Sequence, residues 1–367
     1  MTVTTSHPPT PAPGPAGAPG AAPPALVTIT GTGSHLPTTR LDLPTEAGRR
    51  TGTDPERIRA TGYRTIAAER AHHPADMALI AARRALAAAG TDPADLDLIA
   101  VTAIHRHGHK RLWSPASWLQ ARLGNDRALP FTVNQGCNAQ LLVLDLAAGF
   151  LAGRGLRTAL VVATDRFADS AFDRFTADYG IVYGDGAAAA VLTTDPAHTT
   201  APEAPGPHWR VLAAHSVSDP GLEGLHRGDE PAPETPDTLA DEHDVRAAKR
   251  RYLAAHGSDS LRAATCRAVR EIRAALLPEG DHPRLRHIVY PNLGLPLLEE
   301  NYFPELPGGA DRSLWEFGAT VGHLGSGDQI AGLDHLSRTT HLATGDRVLL
   351  LGAGSGFTWT GMLLERV

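Results

Sequence analysis

Apolar residues recur along this chain with two different periods, and each period predicts one kind of element. Residues 76–90 place them at helical spacing and end in a glycine, which is typical of a helix and its C-terminal stop. Residues 96–104 and 158–165 are short, nearly continuous apolar runs, which predict buried strands. Residues 129–133 form a further strand-like run, and an apolar helical run follows at 141–151. The pattern therefore predicts alternating helices and strands.

The same alternation covers most of the chain. A β-branched run at 26–30 predicts a first strand that ends in a Gly-Thr-Gly turn, and the Gly-Asp-Gly turn at 184–186 leads into a strand of small residues. Alternating strands and helices predict an α/β layered architecture. Further helices are predicted at 114–123, 260–277 and 329–340, and further strands at 287–291, 347–351 and 357–364.

Two stretches interrupt this order and divide the chain. Residues 1–25 hold eight prolines among Ala, Gly and Thr, which predicts a disordered tail. Residues 196–244 are rich in Pro, Asp, Glu and Gly and predict a mostly exposed loop region, apart from an apolar stretch at 209–214. The predicted folded halves are then 26–195 and 245–367.

Composition describes an ordinary globular protein. Hydrophobic residues make up 42% of the 367 positions and charged residues 20%, and the formal net charge is −6, so no bulk charge favours nucleic acid as a partner. We see no apolar run of the roughly 18 residues that a membrane span needs, and no basic segment before an apolar core, so we expect neither a membrane anchor nor a signal peptide. Two cysteines, Cys137 and Cys266, make no disulfide framework and suit a reducing cytoplasm.

Cys137 is the candidate for chemistry because of where the pattern places it. Residues 134–144 read NQGCNAQLLVL, so the thiol lies between a strand-like run and the start of an apolar helix. The unpaired N–H groups and the positive dipole end of a helix favour the thiolate, which is the nucleophilic form of the side chain. The alternative is a small buried side chain without reactivity, as many free cysteines are.

Two further stretches, taken together with this junction, give the chain a family resemblance. They are IVYGDGAAAAVL at 181–192 and GDRVLLLGAGSGFTWTGMLLE at 345–365. In this order the three stretches resemble a ketoacyl-ACP synthase III of the thiolase superfamily, and the resemblance covers 26–367. It implies a thiolase-like five-layered αβαβα fold of two similar halves, and the shared order of helix, turn and strand at 82–104 and 269–292 fits such a duplication. It also implies a homodimer without cofactor or metal.

The resemblance implies that an acyl group passes from a carrier-protein thioester to a cysteine and then to a second substrate. Cys137 matches the nucleophile by position. The glycine-rich turn at 352–356 matches the segment whose backbone N–H joins that of the cysteine in an oxyanion hole. The second donor then falls on Ser355, next to Gly354, where the family has a glycine. Two fixed N–H donors stabilise the oxyanion that forms when a thioester carbonyl is attacked.

The two other catalytic positions of the family carry exchanged residues here. Asn292 stands where a histidine follows a strand-end proline in the family, and His323 stands where an asparagine follows a glycine. Both side chains can donate hydrogen bonds to a malonyl thioester as an enolate forms, which keeps a decarboxylating condensation open. Alternatively, His323 is a general base that Asp328 orients and that takes a proton from an incoming hydroxyl or amine. The stretch GHLGSGDQ at 322–329 resembles a natural-product subgroup of these synthases that esterify instead of condensing.

These residues also have structural interpretations. Asn292 could cap the helix that follows it, Asp328 could cap the helix predicted from Gln329, and His323 could be a buried structural histidine. A basic cluster with three histidines invites a metal interpretation, but it lacks acidic or cysteine partners at ligand spacing, so we expect an exposed loop at a channel mouth. Its members are His105, His107, His109, Lys110 and Arg111.

The acyl donor is expected to be held by a carrier protein. Family members that use coenzyme A place an aromatic residue and an arginine before a Thr-Gly-x-Arg motif, whereas the matching stretch here, DPERIRATGYR at 54–64, has Glu56 and Ala60. Neither residue can stack on adenine or pair with a phosphate. Surface arginines would instead meet the acidic face of an acyl carrier protein. The candidates are Arg57, Arg59, Arg250 and Arg251.

Together these observations predict a cytoplasmic acyltransferase of polyketide or other secondary metabolism. It would take its acyl group from an acyl carrier protein or another acyl thioester and give it to a small-molecule or carrier-bound acceptor. One alternative is a decarboxylating condensing enzyme that makes starter units with the same nucleophile. Another is a catalytically inert homologue that only binds acyl carriers or a sister synthase.

Overall fold

The computed structural model describes most of the chain, in seven ranges. They are 27–49, 54–105, 112–168, 172–195, 207–228, 245–257 and 259–367. The predicted tail, most of the predicted loop region at 196–244, and all of the basic cluster except His105 lie outside the described residues.

The described ranges contain eleven strands and eleven α-helices. The strands are β1 (Thr28–His35), β2 (Arg40–Asp42), β3 (Thr65–Ala67), β4 (Leu98–Thr102), β5 (Leu129–Val133), β6 (Thr158–Asp165), β7 (Gly186–Thr193), β8 (Trp209–Ser218), β9 (Leu285–Val289), β10 (Arg347–Gly354) and β11 (Thr358–Arg366). The helices are α1 (Leu43–Arg49), α2 (Pro55–Arg59), α3 (Pro74–Ala89), α4 (Pro115–Leu123), α5 (Ala139–Arg154), α6 (Gly224–Arg227), α7 (Val245–His256), α8 (Ser260–Leu276), α9 (Leu295–Asn301), α10 (Trp315–Val321) and α11 (Asp328–Thr339).

Nine strands of the described part of the chain form one mixed sheet in the order β5-β4-β6-β7-β1-β8-β11-β10-β9. In its first half, β4 is parallel to β5 and β6, and β7 and β1 follow antiparallel. In its second half, β9 and β10 are parallel, and β11 and β8 follow antiparallel. The two halves meet where β1 pairs with β8, Thr28 opposite Arg210 and Ile29 opposite Trp209. The two half-sheets thus follow one plan.

Two helices, α5 and α11, lie between the half-sheets. Each contacts strands of both halves, and their buried leucines and isoleucines, such as Leu144 and Ile330, belong to one apolar cluster shared with those strands. On the outer faces, α3 and α4 pack on the first half-sheet and α8 packs on the second. This is the predicted αβαβα layering, with the N-termini of two central helices available for a site.

The segment Gly136–Arg154, which contains α5, is long and apolar enough to cross a membrane by length and composition alone. Half of it is buried inside the protein, and a core helix meets the same criteria, so the argument for a membrane span is weak. The expectation that no run reaches such a length was wrong here because apolar residues continue on both sides of Asp145.

Two predicted elements differ from the structure. The Gly-Thr-Gly stretch, predicted to be a turn, continues β1, because its glycines let α3 pack directly on the strand; a β-carbon at Gly31 would lie 2.5 Å from Ala89 N. The apolar stretch at 209–214 extends into β8, which pairs with β11 along its length and joins the two halves. Only Trp209 of its ten residues is buried and the others are partly buried or exposed, so the strand lacks the apolar pattern of a core strand.

Candidate active site

Cys137 lies in the turn between β5 and α5. The following residue, Asn138, ties this turn to the second half-sheet, because its amide donates to Thr358 Oγ1 at 3.1 Å and to Thr360 Oγ1 at 2.9 Å. Asn138 is fully buried, whereas Cys137 is partly exposed. The thiol is therefore held at the start of a helix and stays accessible.

His323 and Asp328 form a hydrogen-bonded line with this thiol. His323 Nε2 lies 3.0 Å from Cys137 Sγ, and Nδ1 lies 2.6 Å from Asp328 Oδ2. Both side chains are 1% exposed. Because the carboxylate accepts the Nδ1 proton, Nε2 is the nitrogen that exchanges a proton with the sulfur. The structure thus brings together three residues that are distant in the sequence.

The neighbours of His323 determine its protonation. Burial alone would lower the pKa of the imidazole, but the charges of Asp328 and Cys137, with the hydrogen bonds to both, outweigh burial and raise the pKa well above its usual value. An imidazolium next to sulfur stabilises the thiolate. The geometry therefore places a protonated imidazole within hydrogen-bond distance of the sulfur, the arrangement that activates a cysteine nucleophile.

Asn292 faces Asp328 and not the thiol. Its amide donates to Gly322 O at 3.0 Å and to Asp328 Oδ1 at 3.1 Å, and its backbone N–H donates to Asp328 Oδ2 at 2.8 Å. Both amide hydrogens are used in this way, so neither is directed at a thioester oxygen. The geometry is that of a residue that positions Asp328.

The two helix-cap interpretations are wrong. Helix α9 has Gly294 at its N-cap, two residues after Asn292. Helix α11 has Gly327 at its N-cap, and Asp328 is its first residue. The Asp328 carboxylate instead accepts from Leu324 N at 2.8 Å, which fixes the turn that carries His323.

The glycine-rich turn after β10 lies against the Cys137 turn. Gly136 has a φ of +55°, and a β-carbon there would lie 2.7 Å from Ser355 N. Only glycine permits this approach. A β-carbon at Gly354 would likewise lie 2.8 Å from Gln135 O. The backbones of Cys137 and Ser355 are therefore close neighbours, as two N–H donors of an oxyanion hole must be.

A cavity of about 650 Å³ contains the thiol. Cys137, His323, Gly354 and Ser355 line it, and Asn292 is not among its described lining residues. A cavity of this size is large enough for a small acyl group together with an acceptor.

An aromatic wall continues from His323 along the cavity. The Tyr183 ring lies 5.3 Å from the His323 ring and 4.6 Å from that of Phe167, and Phe172 lies 5.2 Å from Tyr183. Backbone bonds fix this neighbourhood, since His323 N donates to Val182 O at 2.9 Å. The His323 ring and the aromatic wall are therefore neighbours that the backbone holds together.

Comparisons of this sequence with family models and with known proteins agree on the family to which it belongs. The model of 3-oxoacyl-[acyl-carrier-protein] synthase III matches residues 131–206, and the model of its C-terminal part matches 300–366. The acetoacetyl CoA synthase NphT7 of Streptomyces sp. (strain CL190) is 31% identical over 347 residues, which cover 92% of this chain and 98% of that protein. The chain belongs to the 3-oxoacyl-acyl-carrier-protein synthase III family. Its members are acyl-transferring or condensing enzymes that act on acyl thioesters.

Solved structures of synthase III relatives share the fold. ChlB3, an acyltransferase, superimposes with a TM-score of 0.79 at 30% identity and covers 93% of this chain and 98% of its own. The priming β-ketosynthase of the R1128 polyketide pathway superimposes with a TM-score of 0.70 at 25% identity and covers 95% and 98%. The predicted thiolase-like fold is confirmed.

The segment expected to bind coenzyme A in a synthase III forms α2 and the turn after it. Glu56 and Ala60 are exposed there, and Glu56 forms an ion pair with Arg59. The four candidate docking arginines are exposed, two on α2 and two on α7, a helix whose other face lines the cavity. They are Arg57, Arg59, Arg250 and Arg251.

Two groups bear on metal binding. His105 lines the cavity beside the aromatic wall, with its ring 5.0 Å from that of Phe172. Away from the cavity, His35, Glu69 and His72 each place one possible ligand atom within 4.8 Å of the others. Glu69 Oε1 already accepts from three successive backbone N–H groups, starting with Arg70 N, so its carboxylate has a structural function.

The sequence did not reveal several polar residues of the cavity. Asp178, Lys249 and Asn301 line it, and no motif marks any of them. The available signal was helical spacing. Lys249 lies four residues from Val245 and four from Leu253, so a charged residue shares the inward face of α7 with apolar ones.

Proposed function

We propose that this chain is an acyltransferase that takes an acyl group from a carrier-protein thioester onto Cys137 and gives it to a hydroxyl or amine of a second substrate, in polyketide or other secondary metabolism. The line Cys137 Sγ, His323, Asp328 carries the proposal, because it supplies one nucleophile and one oriented base. Asn292, the second donor that a malonyl enolate would use, is directed to Asp328 and Gly322. This arrangement suits proton removal from an acceptor better than enolate stabilisation.

In the first half-reaction the Cys137 thiolate attacks the carbonyl carbon of the donor thioester. The backbone N–H groups of Cys137 and Ser355 hold the oxyanion. The bond to the carrier sulfur then breaks, and the leaving thiolate takes the proton from His323 Nε2. The products are acyl-Cys137, a free carrier thiol and neutral His323.

The second half-reaction uses the neutral imidazole. Acylation removes the charge on Cys137, which is one of the two charges that raise the pKa of His323. Asp328 keeps the ring in place while Nε2 takes the proton of the acceptor O–H or N–H, and the acceptor attacks the acyl carbon. The bond to Cys137 then breaks, and the thiolate and the imidazolium are restored.

Four observations bear on partners and location. The exposed arginines of α2 and α7 support an acidic carrier protein as the donor, as does the lack of a coenzyme A clamp. A homodimer is supported by β5, the edge strand of the sheet, where Leu129 is 56% exposed, and by the exposed Leu146 and Phe150 of α5. The cytoplasm is proposed from the low cysteine content alone.

Mass spectrometry of the intact chain tests the first step. After incubation with an acyl-loaded carrier protein, we expect one acyl adduct on the wild type and on Cys266→Ala, and none on Cys137→Ala. Cys266→Ala is the matched control because Cys266 is the other cysteine of the chain. An unmodified wild type would instead favour an inert carrier-binding homologue.

Condensation is the second candidate, because the names of two relatives describe synthases. Malonyl carrier protein separates the two functions when it is added to acylated chain. We expect acyl-Cys137 to be discharged by alcohols or amines and not by malonyl carrier protein. Release of CO₂ with a ketoacyl product would replace acyl transfer by condensation.

A further inference from the structure

A second polar site lies in the same cavity as the thiol. Lys249 Nζ donates to Asp178 Oδ1 at 2.5 Å, and the Tyr183 hydroxyl donates to Asp178 Oδ2 at 3.2 Å. The side chains of Lys249 and Asp178 are 8% and 2% exposed, and all three residues line the cavity. The cavity thus has a buried charged pair, whereas the other charged residues that line it, Asp259, Arg262 and Glu300, are exposed.

A buried ion pair is an energetically unfavourable lining for a pocket that holds an acyl chain. Removing two charges from water costs several kcal/mol per ion, and apolar residues of similar volume are often as stable or more so. An apolar acyl group would gain nothing from Lys249 and Asp178. Their presence in the wall therefore indicates a polar ligand.

At this wall, Lys249 has hydrogen-bond donors and Asn301 has an acceptor without a partner among the described residues. An ammonium group has three donors, and Asp178 Oδ1 is the one acceptor that the described residues offer to Lys249. Asn301 lines the same cavity, is 9% exposed, and its Oδ1 has no partner within the described ranges, while its amide donates to Leu297 O. A ligand that fits must therefore both accept and donate hydrogen bonds.

The charges of Asp178 and Lys249 limit further which chemical class of ligand fits. Asp178 and Lys249 offset each other, so the pair favours neither a carboxylate nor an ammonium group. A hydroxyl group is neutral and both donates and accepts. Hydroxyl groups are thus the chemistry that this wall matches.

Tyr183 sets the spacing between this wall and the base. Its ring lies 5.3 Å from the His323 ring, and its hydroxyl reaches Asp178. One tyrosine side chain therefore separates the group bound at Lys249 from the group that faces His323. The distance across one tyrosine side chain is short enough for two hydroxyl groups of one compact molecule to reach both places.

We propose that Asp178, Lys249, Tyr183 and Asn301 bind the acceptor, and that the acceptor is a neutral, compact molecule with several hydroxyl groups. One hydroxyl faces His323 Nε2 and receives the acyl group, and others bind at the Asp178–Lys249 pair and at Asn301. The chemistry is the second half-reaction above, with an ester formed and Cys137 released, so this inference rests on the proposed function.

Two matched alcohols test the inference. Methyl α-glucoside has several hydroxyl groups, and cyclohexylmethanol has one on a ring of similar size. We expect acyl-Cys137 of the wild type to be discharged by the glucoside with a kcat/KM at least about tenfold higher, since hydrogen bonds to charged groups contribute that much or more.

The variant that tests the wall is Asp178→Asn with Lys249→Met, because removing both charges leaves no buried charge unpaired. We expect its kcat/KM for the glucoside to fall about 10- to 100-fold, with less than about a twofold change for cyclohexylmethanol and for acylation of Cys137. Arg262→Met is the control, since Arg262 also lines the cavity but is half exposed and pairs with Glu300.

The outcomes separate this inference from the proposed function. If acyl-Cys137 is discharged but the double variant keeps the wild-type ratio between the two alcohols, the acceptor site is wrong and acyl transfer stands. If malonyl carrier protein alone discharges it, with CO₂, both are wrong. Saturation-transfer NMR gives a test without turnover: the Cys137→Ala chain should bind methyl α-glucoside, and adding the double substitution should abolish binding. No difference there would overturn the inference.

Discussion

The two central helices begin at the same cavity, and the turns before them differ in how they hold their reactive side chains. The turn before α5 carries Cys137, which is partly exposed and is held through its neighbour Asn138. The turn before α11 carries His323, which is fully buried and bonded through its own ring and backbone. A nucleophilic side chain must be accessible to a bulky thioester, whereas a general base must keep a fixed orientation toward the proton that it removes. The two half-sheets thus place two helix starts at the same cavity, and the turn before each helix meets a different chemical requirement.

Asp328 shows how thoroughly the second turn is fixed. Its carboxylate accepts from the His323 ring, from Leu324 N, and from both the backbone and the amide of Asn292. Because each oxygen accepts two hydrogen bonds, the carboxylate has one favoured orientation. The first turn, in contrast, has the backbone N–H of Cys137 facing the cavity in our proposal, beside that of Ser355 from the turn after β10.

Replacing His323, the proposed base, should have the largest effect on acyl transfer. In His323→Gln, acylation of Cys137 should slow, because glutamine can neither stabilise the thiolate nor protonate the leaving carrier thiolate. Transfer from acyl-Cys137 to an acceptor should fall about 10²- to 10⁴-fold, because glutamine cannot take the acceptor proton. Single-turnover mass spectrometry measures formation and loss of the adduct separately. Equal loss of the adduct in variant and wild type would show that His323 is not the base.

Removing the charge that orients the base should have the next largest effect. Asp328→Asn deprives His323 of the carboxylate that raises its pKa, so transfer should fall about 10²-fold and the imidazolium should be lost at a lower pH. The raised pKa stabilises the folded wild type fully below pH ~6.5, and this contribution is lost as pH rises through the folded-state pKa.

The pH profile of Cys137 acylation checks this prediction. We expect its basic limb to move to lower pH in Asp328→Asn, and the pH-dependent part of the stability to shrink. Unchanged profiles would mean that Asp328 is only a structural residue of the turn.

The same contrast explains what the sequence could predict. Cys137 stands out because a strand-to-helix junction and a family resemblance coincide there, and Asp328 is found because it lies five residues after His323. The orientation of Asn292 is not predictable, since it depends on a contact with Asp328 across 36 positions. Lys249 and Asp178, 71 positions apart, belong to no motif. Local patterns predict elements and junctions, whereas side-chain partners across the fold require the coordinates.

Loss of the Asn292 side chain should have a moderate effect. Asn292→Ala removes amide bonds to Gly322 O and Asp328 Oδ1, which should cost about 1–3 kcal/mol of stability and lower transfer about tenfold. Asn125→Ala is the control, because Asn125 lies away from the cavity. Its amide donates to Pro93 O and Leu96 O, and its Oδ1 also accepts from backbone N–H groups at Arg127 and Ala128.

Chemical denaturation and the pH profile of acylation distinguish the two variants. Both should lose stability, Asn125→Ala at least as much as Asn292→Ala, and only Asn292→Ala should shift the profile, because Asn292 holds Asp328. A shift of equal size in the control would reduce Asn292 to a general contribution to stability.

Asp165, at the end of β6, should have the smallest effect on activity and a clear effect on stability. Burial raises the pKa of Asp165 to about 7, although backbone N–H groups of His105 and Ile104 and the charge of His323 lower it. The folded state thus binds this proton more tightly than the unfolded chain, whose aspartate pKa is about 3.9. The resulting stabilisation is present below pH ~4 and is lost as pH rises to about 7. Asp165→Asn should remove this slope in a pH series of unfolding free energies, with transfer nearly unchanged at neutral pH. Parallel pH curves for variant and wild type would show that the pKa of Asp165 is the same in the folded and the unfolded chain, and that burial does not raise it.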